Sequence, residues 1–202
     1  MVDLRSSGIT LQPSVAMYGS TFSAIFYDNV RVPGKNLVGK VNEGWKVITD
    51  ALAAERIMIG GERMANLERA FDHLTEHVKT AVVAGKPLRN DPLVRDSIGA
   101  LAADLEIARR FHMRNVQLVE QGRVPVYEAA MGKVFTSELQ ERIGQAALDI
   151  LGTGGLLSED APGAPLPEME QLLRHCIMNM IGGGTNEIQR NLIAIHGLGL
   201  PR

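Results

Sequence analysis

Two short stretches of this 202-residue chain hold residue types whose spacing can do chemistry. Near the C-terminus, Gly182-Gly183-Gly184 runs into Thr185, a favoured helix N-cap residue, and on through Asn186-Glu187-Ile188-Gln189-Arg190. Ile188, Leu192 and Ile195 then recur at helical spacing until Gly197 and Pro201 close the segment. A loop feeding a helix leaves backbone N–H groups bare at the first turn, with partial positive charge, and glycines let a ligand approach the backbone. The same letters also fit a plain terminal helix after a flexible turn. In the second stretch, Ala53-Ala54-Glu55-Arg56-Ile57-Met58-Ile59, an acid and a base lie among small and apolar residues. A carboxylate held among apolar side chains has its charged form disfavoured, which raises its pKa toward the range of a general base. As residues of a helix, Glu55 and Arg56 also read as a solvated ion pair.

Other candidates are weaker. His73 and His77 stand four apart, but no third ligand is in register, so they read as solvated and no metal is expected. His112, His175 and His196 have no catalytic partner in sequence. Cys176 is the only cysteine, which excludes an intrachain disulfide; it and Trp45 read as packing residues.

The elements that must position these residues follow from periodicity. Gly8–Pro13 and Thr21–Tyr27 are short β-prone runs, the second with Phe22, Ala24 and Phe26 on one face, and Asp28-Asn29 turns the chain before Val30–Pro33. From Glu43 the pattern is helical. One helix runs to about Val83, a second from Asp91-Pro92 to near Gly122, a third over Val126–Leu151, and a fourth over roughly Glu168–Met180. The expected fold is mainly α: an antiparallel four-helix bundle preceded by a few β-strands. A net charge of -2 gives no reason to expect nucleic acid as a partner. No apolar run suits a membrane span, and a cytoplasmic protein is expected.

Gly-Thr-Asn-Glu-Ile-Gln-Arg-Asn over 184–191 resembles the last signature of the acyl-CoA dehydrogenase family. Val2–Pro33, Asn36–Gly39 and Asn42–Trp45 resemble the end of that family's middle β-domain and its exit into the helical domain. The resemblance implies a division into 1–36, the remnant of the β-domain, and 37–202, the C-terminal helical bundle. About half of a family member then lies outside this chain. Most members place the catalytic Glu directly before the Gly-Thr of the signature, where this chain has Gly183. A minority, typified by isovaleryl-CoA dehydrogenase and long-chain members, place it on the first long helix before an Arg. Glu55-Arg56 together with Gly183 is similar to that arrangement.

The resemblance implies FAD as cofactor and an acyl-CoA as substrate. Glu55 removes the α-proton acidified by the thioester, the β-hydrogen leaves as hydride to the flavin, and a trans-2-enoyl-CoA results. It implies that Arg56 and Gly184 contact substrate, that Thr185, Asn186 and Glu187 contact FAD, and that an electron-transfer flavoprotein or similar acceptor takes the electrons. Gln189 and Arg190 match the signature and are assigned packing or interface roles.

Two positions depart from the family. Its Arg-x-x-Phe-Gly at the end of the first long helix, which reaches a neighbouring subunit's FAD, is replaced by Ala81-Val82-Val83-Ala84-Gly85. Its Gln before Ile-Phe-Gly-Gly becomes Asp149, before Ile150-Leu151-Gly152. These losses raise a second reading, a non-catalytic subunit or scaffold of a heteromeric enzyme, and a third is a related oxidase or monooxygenase. Homo- or hetero-oligomers, dimers or tetramers, are expected on each.

Overall fold

The computed structural model describes residues 1–158 and 160–201, and within them every side chain except those of residues 50, 53, 54 and 56–59. Two compact units divide it, Met1–Leu52 and Ala53–Arg202, with the boundary inside the first long helix. In the first unit, β1 (Ile9–Val15) and β2 (Thr21–Tyr27) form an antiparallel hairpin, registered from Ile9↔Tyr27 to Val15↔Thr21. Its base requires glycine. Gly8 sits at φ +89°, and a Cβ there would stand 2.1 Å from Asp28 O. Asp28 N–H donates to Gly8 O at 2.8 Å, and at the other end Ala16 N–H donates to Ser20 O. Hydrogen-bonded pairs therefore fall on the even-numbered residues of β1, and Pro13, opposite Ser23, lies between them.

Both faces of the hairpin are largely open. Phe22 is 58% exposed and Phe26 55%, so the alternating face read from the sequence is uncovered within this unit. Val30–Pro33 forms no strand. A 3-10 turn, Gly34–Asn36, precedes helix α1 (Gly44–Thr80). Trp45, expected to pack, is 79% exposed instead.

The second unit is the helical bundle. α1 stops short of the expected end near Val83. There β3 (Val82–Val83) and β4 (Lys86–Pro87) make a minimal hairpin, with Ala84 at φ 48° and Gly85 at φ 77° in its two-residue turn. α2 (Pro92–Glu120) begins as its sequence dictates. Asp91 caps it, accepting from Leu93 N–H at 2.8 Å and Val94 N–H at 3.3 Å, with Pro92 in the first turn. α3 (Val126–Leu151) has the expected bounds, and α4 (Pro167–Ile181) is close to them. α5 (Asn186–Leu192) follows the glycine loop and continues as a π-helical turn, Ile193–Gly197.

The mainly helical fold preceded by a hairpin is the one the periodicity predicts. Its core draws on all four long helices: Leu67 and Leu74 of α1, Leu105 of α2, Ile143 and Leu139 of α3, and Met169 of α4. Each such side chain, removed from water, contributes about 1.5–3 kcal/mol. Cys176 packs at 2% exposure, and burial pushes its thiol pKa up. α3 and α4 approach closely at Gly144, where an added Cβ would meet Leu173 Cβ at 2.9 Å. Polar links join the other faces: Arg109 to Glu68, Arg142 to Asp104, and His73 Nδ1 to Glu168 Oε1 at 2.8 Å. His73 thus ties α1 to α4.

Candidate active site

A cavity of about 730 Å³ lies between α1, α3, α4 and the glycine loop. Glu55 and Arg63 of α1, Gln140 of α3, Asn179 of α4, and Gly182 and Gly183 of the loop are among its walls. Glu55 is exposed, not buried among apolar side chains as its sequence surroundings suggest, so this chain alone does not desolvate it. The Arg56 side chain lies outside the described residues. Glu55 and Gly183, more than a hundred residues apart, wall one cavity.

The loop itself is built from α3. Gly183 and Gly184 have φ of 74° and 93°, and at Gly183 an added Cβ would meet nothing within 4 Å. Thr185 caps α5 as expected, its hydroxyl accepting from Ile188 N–H at 3.4 Å. Glu187, in the first turn, has its carboxyl held below the usual range by its own backbone N–H and by the Thr185 hydroxyl. Asn186 points inward and is 4% exposed. Its Oδ1 accepts from Lys133 Nζ at 2.7 Å and from Ser137, and its Nδ2 donates to Ser137 Oγ at 3.1 Å.

Lys133 is the residue the sequence reading passed over. Its ammonium donates to Met180 O and to Asn186 Oδ1, both at 2.7 Å, so it grips the chain on either side of the three glycines. Burial lowers its pKa from 10.5 to about 8; Arg63 adds to the depression, and Glu187 and Glu138 oppose it. Gln189, fully buried, holds the loop from the other side, donating from Nε2 to Gly183 O at 3.0 Å and Gly184 O at 3.3 Å. Arg190 pairs with Glu138 of α3. Gln140, also unremarked in the sequence, joins α3 to α4: its Nε2 donates to Leu172 O at 2.8 Å, and its Oε1 accepts from Asn179. Of Lys133 and Gln140, only Lys133 offered a sequence signal, a cation on the apolar side of an otherwise small-residue helix run, Ala129-Ala130-Met131-Gly132-Lys133.

Asp149 accepts from Gln145 Nε2 at 3.2 Å on its own helix. No helix among the described residues is long and apolar enough to cross a membrane.

The fold and the cavity beside the glycine loop define a helical-bundle domain preceded by a β-hairpin, and comparison with known proteins gives it a family. Residues 42–198 match the family model for the C-terminal domain of acyl-CoA dehydrogenase. This chain belongs to the acyl-CoA dehydrogenase family. The chain is 31% identical to acyl-CoA dehydrogenase FadE26 of Mycobacterium tuberculosis, an alignment that spans 100% of this chain and 51% of that protein. Among solved structures, the ChsE4-ChsE5 complex from Mycobacterium tuberculosis superposes with a TM-score of 0.90 at 32% identity, covering 100% of this chain and 52% of the other. A steroid ACAD, Tcur3481-Tcur3483, gives 0.86 at 31%, covering 100% and 51%. The chain spans about half the length of the curated relatives it matches.

Proposed function

We propose that this chain is the C-terminal part of an FAD-dependent acyl-CoA dehydrogenase, with residues 1–36 the end of the β-domain and 37–202 the helical domain, and with Glu55 as the base. The observation that carries the reading is that Glu55 and Gly183 wall one cavity. A carboxylate on α1 and the loop position share this cavity, and the loop position holds no side chain to compete with it.

The residues fit the cofactor the family uses. The space into which a Cβ at Gly183 would project is open, and half-buried Thr185 and exposed Glu187 follow at the start of α5. Thr185 and Glu187 would hold FAD by their side chains. Asn186, whose amide is engaged by α3, would contribute its backbone N–H in the first turn. When bound, FAD supplies the two-electron acceptor for the β-hydrogen. Glu55 takes the α-proton of the acyl thioester, and bound substrate excludes water from around it. Gly184 leaves room for the thioester, and Arg56 would bind substrate. An electron-transfer flavoprotein or similar acceptor, an oligomeric assembly and a cytoplasmic location belong to the same proposal.

Glu55→Gln tests it. An acyl-CoA bleaches the 450-nm flavin band of the wild type under anaerobic conditions, and the variant binds flavin but fails to bleach. Bleaching at the wild-type rate in the variant removes Glu55 from the mechanism.

A second reading, a non-catalytic subunit of a heteromeric enzyme, is favoured by the β3–β4 hairpin. It occupies the family's Arg-x-x-Phe-Gly position with Ala81–Gly85 and offers a neighbouring cofactor neither side chain. In that case a complete member of the family restores bleaching when mixed with this chain, and Glu55→Gln leaves the restored rate unchanged.

A further inference from the structure

A second, smaller cavity of about 30 Å³ lies on the other side of Arg63, between α1, α2 and α3. It has room for one or two water-sized atoms. Each helix contributes one basic residue to its wall: Arg63 from α1, His112 from α2 and Lys133 from α3. None of its described wall residues is acidic. Arg63 Nε is buried and has no hydrogen-bond partner. The Lys133 ammonium has three N–H groups, of which two go to Met180 O and Asn186 Oδ1, leaving one for the cavity it lines. Thr136 is not a competing donor, because its hydroxyl donates back to Gly132 O at 2.8 Å. Asn115 Oδ1 also lacks a partner, and turning that amide over places Nδ2, a donor, at the same point.

A buried donor without an acceptor costs stability, and two cations facing one small space repel. The groups packed about Lys133 show the imbalance. Arg63 from α1 and Arg190 from α5 oppose its charge; Glu138 of α3 and Glu187 of α5 favour it; and burial outweighs them all. What the cavity lacks is an acceptor that carries negative charge.

We propose that this cavity is an anion subsite that takes one carboxylate oxygen, and that the carboxylate belongs to the acyl group held in the adjoining cleft. Arg63 and Gly183 wall both cavities, so a ligand in the large one reaches the small one past them. Arg63 follows Glu55 by two turns and a fraction of α1, about 12 Å of rise, which sets the free carboxylate several bonds beyond the reacting carbons. The site stands on its own geometry; its assignment to the acyl group rests on the function proposed above. The substrate class it selects is a CoA monothioester of a dicarboxylic acid.

The test reads the Lys133 ammonium by NMR of 13Cε-labelled lysine as pH is varied, and needs no flavin. Formate is exchanged for gluconate, too bulky to enter, at constant ionic strength. An anion in contact with Lys133 favours its charged form, so formate raises the midpoint saturably from about 8 to roughly 9 or above, and gluconate leaves it alone. In Arg63→Gln the midpoint starts higher, since one repelling cation is gone, and formate adds nothing. A rise that never saturates, or one equal for the two anions, means screening or an adventitious ion only and overturns the site. That comparison stands on the wild type even if the variant does not fold. Adipoyl-CoA then reproduces the formate effect and hexanoyl-CoA does not; equal responses to the two thioesters overturn the acyl assignment. Failure of flavin bleaching, by contrast, strikes the catalytic reading and leaves this titration untouched.

Discussion

Replacing Lys133 with methionine removes a charge and two hydrogen bonds while keeping an unbranched side chain of similar length, and its effect reverses with pH. Lys133 is 8% exposed, and burial lowers the pKa of its ammonium to about 8 in the fold, against 10.5 ordinarily. That depression means the protonated form is disfavoured by roughly 3 kcal/mol on folding. The sign follows from proton counting. Between pH 8 and 10.5 the unfolded chain holds a proton at this site that the folded chain has released, so stability rises with pH across that window. The neutral amine still has two N–H groups, enough for Met180 O and Asn186 Oδ1, and two neutral hydrogen bonds are together worth about 1–3 kcal/mol. At pH 7 Lys133→Met therefore loses the bonds but also sheds the buried charge, and its stability stays within about 2 kcal/mol of wild type or exceeds it. By pH 10.5 the variant is the less stable by about 1–3 kcal/mol. Urea denaturation of both proteins at half-unit steps from pH 7 to 10.5 measures the difference, in which every other titrating group cancels. A difference that stays flat across the window would show that Lys133 keeps its ordinary pKa and would refute the argument.

Three further outcomes are expected. Gly144→Ala drives a methyl group into Leu173 at a close α3–α4 approach and costs about 1–3 kcal/mol in urea denaturation; an unchanged midpoint would mean the helices slide apart freely. Gln189→Leu leaves Gly183 O and Gly184 O without their donor, destabilises the fold by about 1–3 kcal/mol and speeds amide hydrogen exchange at residues 183–188; exchange rates equal to wild type would place the loop's rigidity elsewhere. Asp91→Ala strips the cap from α2 and lowers stability by about 0.5–2 kcal/mol, whereas Asp91→Asn, which keeps an acceptor, loses only a few tenths; equal losses would rule the cap out as the cause.

Much of this architecture was legible in the letters because local signals agreed with tertiary ones. Asp91-Pro92 announced α2, and Gly152 closed α3, because capping depends on residues adjacent in sequence. The pairing of Glu55 with Gly183 in one cavity came from resemblance; no periodicity rule joins residues so far apart. Lys133 and Gln140 were missed, and the partners of Gln189 were not foreseen although its packing role was, for a related reason. Each is a polar residue whose partners are mostly backbone carbonyls of the α4–α5 segment, and a sequence does not show which carbonyls a fold leaves unsatisfied. Trp45 and the hairpin phenylalanines went the other way, apolar by letter and exposed in this chain, because what a hydrophobic residue packs against is not written beside it.

Pro13 has a consequence for how the hairpin can be extended. Its nitrogen sits at a position of β1 that turns away from β2, so the β1–β2 ladder loses nothing by the missing hydrogen. The loss falls on β1's outer margin, where one donor in the middle of seven residues is gone. A strand docking there would find its run of bonds interrupted at the centre, while β2 presents an unbroken row. One ring closure thus gives the hairpin a preferred direction of growth, and makes the margin of β2 the better template for any strand that joins it.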